Sequence, residues 1–534
     1  MKPIRVIPRL DVKGANLVKG IHLEGLRVLG LPERFSNIYF QDGADELIYM
    51  DTVASLYGRN SLEEIVKRTA KNIFIPLTVG GGIRSIEDIR LLLRVGADKV
   101  TINTAAIKNP KLIAEGAKVF GSQCIVVSIE AIKVSDQKYE AYTDNGREPT
   151  GKDAVDWAKQ AEELGAGEIL VTSVDQEGTG NGYDLDLIGR IEQAVSIPII
   201  ACGGAGSSKD VEEVVKNCSV DAVCASSIFH YNTIKEMGIE KRDEGNVEYL
   251  KTVLKKEGSI LNRLRPISVN GLKRHLQKSE VICANVRSFN PKNDAVREPE
   301  KSYVLKISSA HSNKITLIDY GRSNLFSVEQ ALKKVGASVT ITDDPEIISQ
   351  ADKIVLAGVG AFHDGMLALQ DRGLVTVIQE YAGSGKPILG ICLGMQLFMS
   401  NGEEFGLSKG LGLIKGKTER LNESGNNGIK VKIPHIGWNQ IAFSQQKKNN
   451  SSPIEINWLK SAILKGVSES DFVYYVHSYV VMPDDKDIII SETEFGPNRF
   501  CSVIEKENII GCQFHPEKSG PVGLNIYRNF ISEF

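Results

Sequence analysis

The sequence predicts two α/β domains: an N-terminal (βα)8 TIM barrel with a half-barrel repeat and a C-terminal doubly wound domain. Three observations lead to this prediction. The length of 534 residues exceeds the range of one compact domain, short Val/Ile-rich runs alternate with helical-period segments, and part of the first half is repeated. The predicted domains cover residues 1–287 and 314–534, and residues 288–313 form a linker.

Eight strand-like runs alternate with helical segments in the first domain, as a closed parallel barrel requires. They are IRVIPRL, DELIYMD, IPLTVGG, DKVTINT, CIVVSIE, EILVTSV, IPIIACG and DAVCASS. Residues 43–47 are echoed at 165–169, and residues 75–82 are echoed at 197–204, so each second copy follows 122 residues after the first. This common spacing predicts two half-barrels. The polar stretch at 231–265 is the predicted insertion before the last barrel helix.

The linker and the second domain differ in their apolar patterns. Residues 288–313 contain the run Arg297–Lys301 and little apolar periodicity, which is typical of a linker. From Lys314 the runs ITLIDYG, SVTITDD, KIVLAGV and PILGICLG alternate with helical segments, which predicts a smaller parallel sheet.

The composition limits the classes of molecule that the protein is expected to bind. The chain has 64 Lys and Arg against 67 Asp and Glu, and its net charge of -3 provides no basic field for nucleic acid or anionic lipid. The first residues lack an apolar signal core and no stretch is apolar enough to span a bilayer, so we expect a cytoplasmic protein with a small-molecule substrate. Eight scattered cysteines without a CxxC pair predict neither a metal site nor a disulfide framework, and nothing indicates a cofactor.

Two glycine turns in the barrel predict anion sites. The turns at 80–82 and 203–204 each follow a buried strand, and small polar residues follow one strand later, namely Asn103 and Thr104 in the first half and Ser226 and Ser227 in the second. Glycines such as Gly82 and Gly204 let backbone N–H groups approach an anion. The alternative is two ordinary tight turns, but the duplication favours a ligand with two phosphates.

Two carboxylates predict acid–base chemistry at the barrel rim. Asp11 ends the first predicted strand and Glu130 ends the fifth, which places them across the catalytic face. Any one rim carboxylate is more often a cap or a solvated group, so the prediction depends on the set. The rest of the set is Asp51, Asp175 and Glu177 near the same rim and Lys19 in the first loop.

The second domain carries the pattern of a cysteine nucleophile. Gly390-x-Cys392-x-Gly394 runs from a strand into a helix that we expect to begin near Met395, which is the form of a nucleophile elbow with sulfur in place of oxygen. His515 and Glu517 supply an imidazole base and a carboxylate that orients it. A buried structural cysteine is the alternative for Cys392 alone, and the downstream pair disfavours it.

Four charged residues stand where barrel strands begin, on the face opposite the rim. Two of these residues are positively charged and two are negatively charged, which predicts a salt-bridged ring. Such a ring either stabilises the barrel or gates a passage through it. The four are Arg5, Glu46, Lys99 and Glu168.

The first domain resembles the cyclase of imidazole glycerol phosphate synthase in Leu10-Asp-Val-Lys13, PLTVGGGIRS, GADKVTIN, EGTGNGYD and ASSIFH. The resemblance covers 1–287 except the 231–265 insertion. It implies that Asp11 is the general acid, the residue at 130 the base and Lys19 the loop lysine. It also implies one phosphate at Gly82, Asn103 and Thr104 and the other at Gly204, Ser226 and Ser227. Glu130 and Glu177 stand where Asp is usual in this family, and Arg9 stands where Cys is common.

Residues 314–534 resemble the triad-type, class I glutamine amidotransferases, specifically the glutaminase of the same synthase. The resemblance implies an oxyanion strand at 357–360 that includes Gly358, although Pro is usual at 357. It implies a gate at the four-residue ring, with Lys518 facing that ring, and an interface role for residues 435–439. It also implies glutamine contacts from Gln396, His477, Ser478 and Tyr479.

These observations favour a glutamine amidotransferase that needs no separate glutaminase subunit. The leading hypothesis is that the barrel converts phosphoribulosyl-formimino-AICAR phosphate to imidazole glycerol phosphate and AICAR in histidine biosynthesis. The alternative is a paralogue that supplies ammonia to another acceptor, such as a nucleotide sugar in surface-polysaccharide synthesis. Glu130, Arg9 and the insertion favour that alternative. A catalytically dead scaffold is disfavoured because the triad and both glycine turns are present.

Overall fold

The computed structural model describes residues 2–53, 62–136, 138–239, 246–255, 263–284, 312–321, 324–404, 406–424, 430–444 and 461–534. Contacts divide the chain into two compact units, Met1–Ala284 with Lys432–Gly437, and Asn285–Val431 with Trp438–Phe534. Most of the predicted linker, and residues 240–245 and 256–262 of the predicted insertion, lie outside the described residues.

The first unit is a closed barrel of eight parallel strands, as predicted. The sheet closes because the strand Ile125–Ser135 pairs with both Lys99–Ile102 and Glu168–Ser173. The barrel strands in chain order are β1 Arg5–Lys13, β4 Leu47–Asp51, β5 Leu77–Gly80, β6 Lys99–Ile102, β7 Ile125–Ser135, β10 Glu168–Ser173, β11 Ile199–Cys202 and β12 Ala222–Ala225.

Two antiparallel hairpins, which the sequence patterns did not predict, extend the barrel sheet. One follows β1 and consists of β2 Asn16–Ile21 and β3 Glu24–Gly30, and the other follows β7 and consists of β8 Lys138–Thr143 and β9 Glu148–Asp153. One hairpin stands in each half-barrel, so the repeat extends beyond the segments that revealed it.

Amphipathic helices surround the barrel and bury their apolar faces. In the helix Ile86–Arg94 the buried residues are Ile89, Leu92 and Leu93, and Ser85 and Asp88 form a capping box at its start. The helix Ser208–Asn217 begins with a capping box as well. The helices of the first unit are α1 Pro32–Gln41, α2 Glu63–Ala70, α3 Ile86–Arg94, α4 Thr104–Lys108, α5 Lys111–Phe120, α6 Ala154–Glu163, α7 Leu185–Ala194, α8 Ser208–Asn217, α9 Ser227–Met237, α10 Asn246–Lys255 and α11 Val269–Lys278.

The barrel interior is layered. An apolar cluster from six strands includes Ile7, Val126 and Leu170. Side chains two residues apart on a strand share a face, so the β1 residues Arg5, Ile7, Arg9 and Asp11 belong to one face. Charged side chains therefore lie on both sides of the apolar layer, with the strand beginnings on one side and the rim on the other.

The second unit contains two larger sheets and one strand pair. The strands are β13 Lys314–Ile318, β14 Ser338–Thr342, β15 Ile354–Gly358, β16 Ile388–Cys392, β17 Met399–Gly402, β18 Ser408–Lys409, β19 Ile414–Arg420, β20 His435–Gln440, β21 Ala442–Phe443, β22 Phe472–His477, β23 Tyr479–Pro483, β24 Ile489–Phe495, β25 Asn498–Lys506 and β26 Ile509–Cys512. An eight-stranded mixed sheet has the order β14-β13-β15-β16-β26-β25-β24-β21, and its first five strands are parallel. A four-stranded sheet has the order β18-β17-β19-β23, and β20 pairs with β22.

Helices pack against the larger sheet of the second unit around a core that includes Ile354, Ile388 and Phe398. They are α12 Leu325–Lys334, α13 Pro345–Gln350, α14 Phe362–Asp371, α15 Leu374–Gly383, α16 Leu393–Leu397 and α17 Gly520–Glu533. Within the described parts of the chain, neither unit contains a helix with the length and apolar character needed to cross a bilayer.

Candidate active sites

Cys392 lies on a strained turn between β16 and α16. Its φ of 51° and ψ of -107° are rare for a residue with a side chain. Glycines flank it because the backbone passes close to other groups: a Cβ at 394 would overlap the carbonyl oxygen of Leu356, and one at 390 would overlap the ring of Phe398. The helix begins at Leu393, two residues before the predicted start. This geometry is that of a nucleophile elbow.

His515 and Glu517, the predicted base and its orienting carboxylate, form a buried hydrogen-bonded pair. The Nδ1 atom of His515 donates to Glu517 Oε1 at 2.7 Å, and the hydroxyl of Tyr527 donates to Glu517 Oε2 at 3.1 Å. Burial disfavours the imidazolium, but the charges of Cys392 and Glu517 outweigh burial and raise the pKa of His515 well above its ordinary value. The imidazole is therefore suited to take and hold the proton of the thiol.

The predicted oxyanion strand lies directly beside the nucleophile. Gly358, the last residue of β15, pairs in register with Cys392 on β16. A Cβ at position 358 would overlap the hydroxyl of Tyr320, so the close approach requires glycine. Backbone N–H groups at this position are candidates to stabilise negative charge on a carbonyl oxygen attacked by Cys392.

The predicted glutamine contacts gather around one backbone carbonyl. Gln396 Nε2 donates to the carbonyl oxygen of Tyr479 at 2.8 Å, and His477 Nδ1 donates to the same oxygen at 3.0 Å. Burial lowers the pKa of His477 to about 3, so this imidazole is neutral at physiological pH. Ser478 is half-buried, and its carbonyl oxygen accepts from Leu421 N at 2.9 Å.

Three further residues of the second unit were not among the predicted site residues. Gln513 Nε2 lies 3.7 Å from Cys392 Sγ, and the hydroxyl of Tyr527 donates to Glu517. Glu404 is a partly buried carboxyl that accepts from Phe362 N at 2.8 Å. Burial raises the pKa of Glu404 to about 7. The position of Gln513 two residues before His515 was the one available sequence signal.

The barrel rim contains a cavity of about 310 Å³ beside the first glycine turn. The cavity brings together five of the predicted site residues. They are Asp51, Gly82, Asn103, Thr104 and Glu130.

The predicted first anion site includes a helix start at which the N-cap side chain makes no capping bond. Asn103 stands at the N-cap of α4 without a capping bond, and its Nδ2 instead donates to the carbonyl oxygen of Tyr142 at 3.1 Å. Thr104 Oγ1 accepts from Asp144 N at 3.1 Å. Gly82 has a φ of 73°. Uncapped N–H groups beside a glycine turn suit a phosphate.

The predicted second anion site repeats this backbone geometry. Ser226 stands at the N-cap of α9 with φ -120° and ψ -68°, close to the -128° and -86° of Asn103, and it also makes no capping bond. Ser227 is the first residue of α9, and both serines are buried. Gly204 has a φ of 106°, and a Cβ there would overlap the carbonyl oxygen of Gly182. These residues do not line the cavity at the first site.

Glu130 is buried within β7, which continues past it to Ser135. Its Oε2 accepts from Gly146 N at 2.8 Å. Burial raises the pKa of Glu130 to about 7, although the charge of Arg9 partly opposes this shift. A carboxyl with a pKa near neutrality can accept and return a proton at physiological pH.

Asp11 belongs to a chain of ion pairs. Arg9 Nε donates to Asp11 Oδ1 at 2.8 Å, Lys19 Nζ lies 3.8 Å from Asp11 Oδ2, and Lys19 also pairs with Glu177. The expectation that Lys19 lies in a loop and folds over a phosphate differs from the structure. It lies on β2 and is buried, because the hairpin brings it to Glu177. Asp175 is exposed, and it accepts from Lys133 N at 2.8 Å.

The four charged residues at the strand beginnings form a closed ring. Arg5 Nη1 lies 2.8 Å from Glu46 Oε2, Lys99 Nζ lies 2.6 Å from Glu46 Oε1 and 2.7 Å from Glu168 Oε2, and Arg5 also pairs with Glu168. All four side chains are no more than 1% exposed. Lys518 is buried in the short turn that follows His515.

Comparisons with known proteins match each unit separately. A family profile described as histidine biosynthesis protein matches residues 5–235, and one described as glutamine amidotransferase class-I matches residues 316–534. The imidazole glycerol phosphate synthase subunit HisF of Legionella pneumophila is 62% identical over 210 residues, which is 39% of this chain and 99% of that subunit. The HisF subunit of Bacillus cereus strain ATCC 10987 is 53% identical over 227 residues, 42% of this chain and 90% of that subunit.

Proposed function

We propose that this chain, which belongs to the imidazole glycerol phosphate synthase family, channels ammonia from glutamine to its barrel. There the ammonia is used to convert phosphoribulosyl-formimino-AICAR phosphate to imidazole glycerol phosphate and AICAR. The chain combines a HisF-type barrel and a class I glutamine amidotransferase domain in one polypeptide. The chain is an enzyme with glutaminase activity. The observation that carries the proposal is that one chain contains the cysteine elbow with its His515–Glu517 pair and a barrel whose two predicted anion sites have similar backbone geometry.

In the glutaminase half, His515 takes the thiol proton and Cys392 attacks the side-chain amide carbon of glutamine. The oxyanion that forms is stabilised at the Gly358 strand, and His515 passes the proton to the departing ammonia. Water then hydrolyses the thioester and releases glutamate.

In the barrel half, the two anion sites hold the two phosphates of the acceptor. The linear substrate lies between them, so that its formimino carbon meets the carboxyl groups of Asp11 and Glu130. These groups move protons while ammonia condenses with the ketone of the substrate, which releases water, and while its nitrogen bonds to the formimino carbon and closes the ring as the C–N bond to AICAR breaks. Asp51 belongs to the same cavity.

We further propose that ammonia passes through the ring of Arg5, Glu46, Lys99 and Glu168 before it reaches the rim. Free ammonia would protonate in bulk water, so a sheltered path preserves the nucleophile. The apolar layer beyond the ring, which includes Ile7 and Leu170, favours the neutral molecule.

Opening the ring should uncouple the two reactions. We expect Lys99→Met to lower the yield of imidazole product per glutamate released, because the substitution removes two of the ring's ion pairs. Lys273→Met is the matched control, since Lys273 forms a buried ion pair with Asp45 at 2.6 Å outside the ring. Losing one partner of a buried pair costs about 3–5 kcal/mol in either variant, so circular dichroism must first show that both are folded. An equal yield in both variants would argue against a gate.

The identity of the ammonia acceptor is tested with purified wild-type and Glu130→Asp proteins that are supplied directly with ammonia. If Glu130 is a longer form of the family's base, loss of the substrate's absorbance should be seen with both proteins, and Glu130→Asp should retain or raise the rate. A displacement of about 1 Å in a catalytic group can change the rate of its reaction on the order of 10²-fold. No cyclisation by either folded protein would show that the acceptor is a different molecule.

The second candidate is a paralogue whose barrel serves another ammonia acceptor, such as a nucleotide sugar in surface-polysaccharide synthesis. The ion pair between Arg9 and Asp11 favours it, because that pair places a fixed cation where the family commonly has a thiol. Rescue of a histidine auxotroph that lacks its own synthase separates the two candidates. Growth without histidine supports the first, and failure despite stable expression supports the second.

A further inference from the structure

The two predicted anion sites stand on equivalent turns of the two half-barrels. The backbone N–H of Arg84 donates to Asp88 Oδ2 at 2.9 Å, and the backbone N–H of Gly206 donates to Asp210 Oδ2 at 2.9 Å. Each residue of the second pair follows 122 residues after its counterpart in the first, which is the spacing of the repeat. Positions 84 and 206 are therefore the same position of the repeated turn.

The first site has two cations that the repeat does not supply to the second. Arg84 and Lys108 both line the cavity at the first site. The counterpart of Arg84 is Gly206. The counterpart of Lys108 is Tyr231, because each is the fifth residue of its helix. Tyr231 is buried, and its hydroxyl lies 3.4 Å from that of Tyr249, so neither of these two positions offers a cation to the second site.

Position 206 has no room for a side chain. A Cβ at Gly206 would lie 2.3 Å from the carbonyl oxygen of Gly180. The N–H of Gly182 also donates to the carbonyl oxygen of Gly204 at 2.9 Å, so these two loops lie against each other along their backbones. The close approach of the loops therefore excludes an arginine at the position that Arg84 occupies in the first half.

The segment 263–267, which begins inside the predicted insertion, is bonded to both parts of the second anion site. Arg265 N donates to the carbonyl oxygen of Gly206 at 2.7 Å, in the glycine turn. Ile267 N donates to the carbonyl oxygen of Ile228, the second residue of α9, at 3.1 Å. The backbone of the 263–267 segment is thus fixed beside the turn and the helix start that form the site.

This segment brings two arginines to the second site. Arg263 and Arg265 are exposed, and Leu264 between them is buried. Leu264 Cδ2 would lie 3.1 Å from a Cβ at Gly180, and Arg263 Nη1 donates to Asn181 Oδ1 in the same loop. The buried leucine therefore anchors the segment while both guanidinium groups stay accessible to a ligand. A guanidinium presents its donors in a planar fork that matches phosphate oxygens.

We propose that Arg263 and Arg265 are phosphate-binding residues of the second anion site, where they replace the cations that Arg84 and Lys108 provide at the first. The inference rests on the proposed function in requiring that the acceptor carries two phosphates. It assigns a role in acceptor binding to the end of the insertion, which the half-barrel repeat does not contain.

The test uses inorganic phosphate and the full-length protein, so a wrongly identified acceptor cannot affect it. With ¹⁵N-labelled serine and threonine, the amide signals of Ser227 and Thr104 report the two sites separately, and Ser227→Ala and Thr104→Ala assign them. Arg263→Gln/Arg265→Gln should weaken phosphate binding at the Ser227 signal about 10-fold and leave the Thr104 signal unchanged. Arg84→Gln should do the reverse, because the two turns lie in different half-barrels.

Arg263→Lys/Arg265→Lys keeps both charges and should retain more affinity than the glutamine variant. Added salt should reduce the difference between the wild type and the glutamine variant, which a merely structural role would not predict. Arg68→Gln is the matched control and should bind phosphate as the wild type does, since Arg68 is an exposed arginine that pairs with Glu33 at 2.8 Å.

An unchanged affinity at the Ser227 signal in the folded double glutamine variant would overturn the proposal, as would a wild-type Ser227 signal that does not respond to phosphate. If the expected losses of affinity are observed but the wild type cyclises no substrate, the proposed acceptor is wrong and the assignment of Arg263 and Arg265 is supported.

Discussion

Cys392→Ser and Cys392→Ala should abolish glutamine-dependent turnover and leave ammonia-dependent turnover largely intact. The loss with glutamine should be on the order of 10⁴-fold or more, because the attacking atom is removed from a unit of mutually dependent groups. The barrel should be unaffected, because Cys392 lies in the other compact unit of the chain. The measurement compares glutamine with ammonium salt at high pH, where free ammonia is abundant.

Cys501→Ala is the matched control for this comparison. Cys501 is a buried cysteine of the same unit whose Sγ lies 3.7 Å from the carbonyl oxygen of Val503, away from the elbow. We expect it to retain glutaminase activity and to lose at most some stability. Equal losses with both nitrogen sources in the Cys392 variants would contradict the division of labour between the units.

Glu130→Gln should cost about 10²- to 10⁴-fold in ammonia-dependent turnover, because the amide keeps the shape of the side chain but cannot take a proton. Glutamine hydrolysis at Cys392 should continue. Since burial raises the pKa of Glu130 to about 7, the group is protonated below that pH and available as a base above it. The wild-type kcat/KM, expressed per free ammonia, should therefore rise as pH increases through 7.

Glu140→Gln provides the same substitution at a matched position on β8, where Oε1 accepts from Gly151 N at 2.6 Å near the surface. Its turnover and pH profile should match the wild type. A rise in activity through the same pH range that persists in Glu130→Gln would assign the ionisation to another group.

The sequence predicted those features that depend on local pattern. Barrel strands were predicted because each is a short β-branched run before a helical segment, and the elbow was predicted because Cys392 and its glycines are adjacent in the chain. His515 and Glu517 are two residues apart, so their pairing was also visible. The ring was predicted because barrel topology aligns residues that begin strands.

The features that the sequence did not predict depend on tertiary packing and on side-chain geometry. Lys19 was expected over a phosphate, but it pairs with Glu177, which lies 158 residues further along the chain. The contact between Tyr527 and Glu517 depends on how α17 packs, which no motif encodes. The sequence identified Arg9 as a departure from the family, but it did not predict the ion pair between Arg9 and Asp11. That pair depends on both side chains pointing to the same face of β1.

The most direct test of the central claim is the ratio of imidazole glycerol phosphate formed to glutamate released by the wild-type chain. The assay contains glutamine and phosphoribulosyl-formimino-AICAR phosphate at a pH slightly above 7, where Glu130 is available as a base and most ammonia in bulk water is still protonated. If one chain makes ammonia in one unit and consumes it in the other, the ratio should be close to one and should not fall when an ammonia-trapping enzyme is added. Glutamate released without imidazole glycerol phosphate, or a ratio that collapses with the trap, would contradict the account.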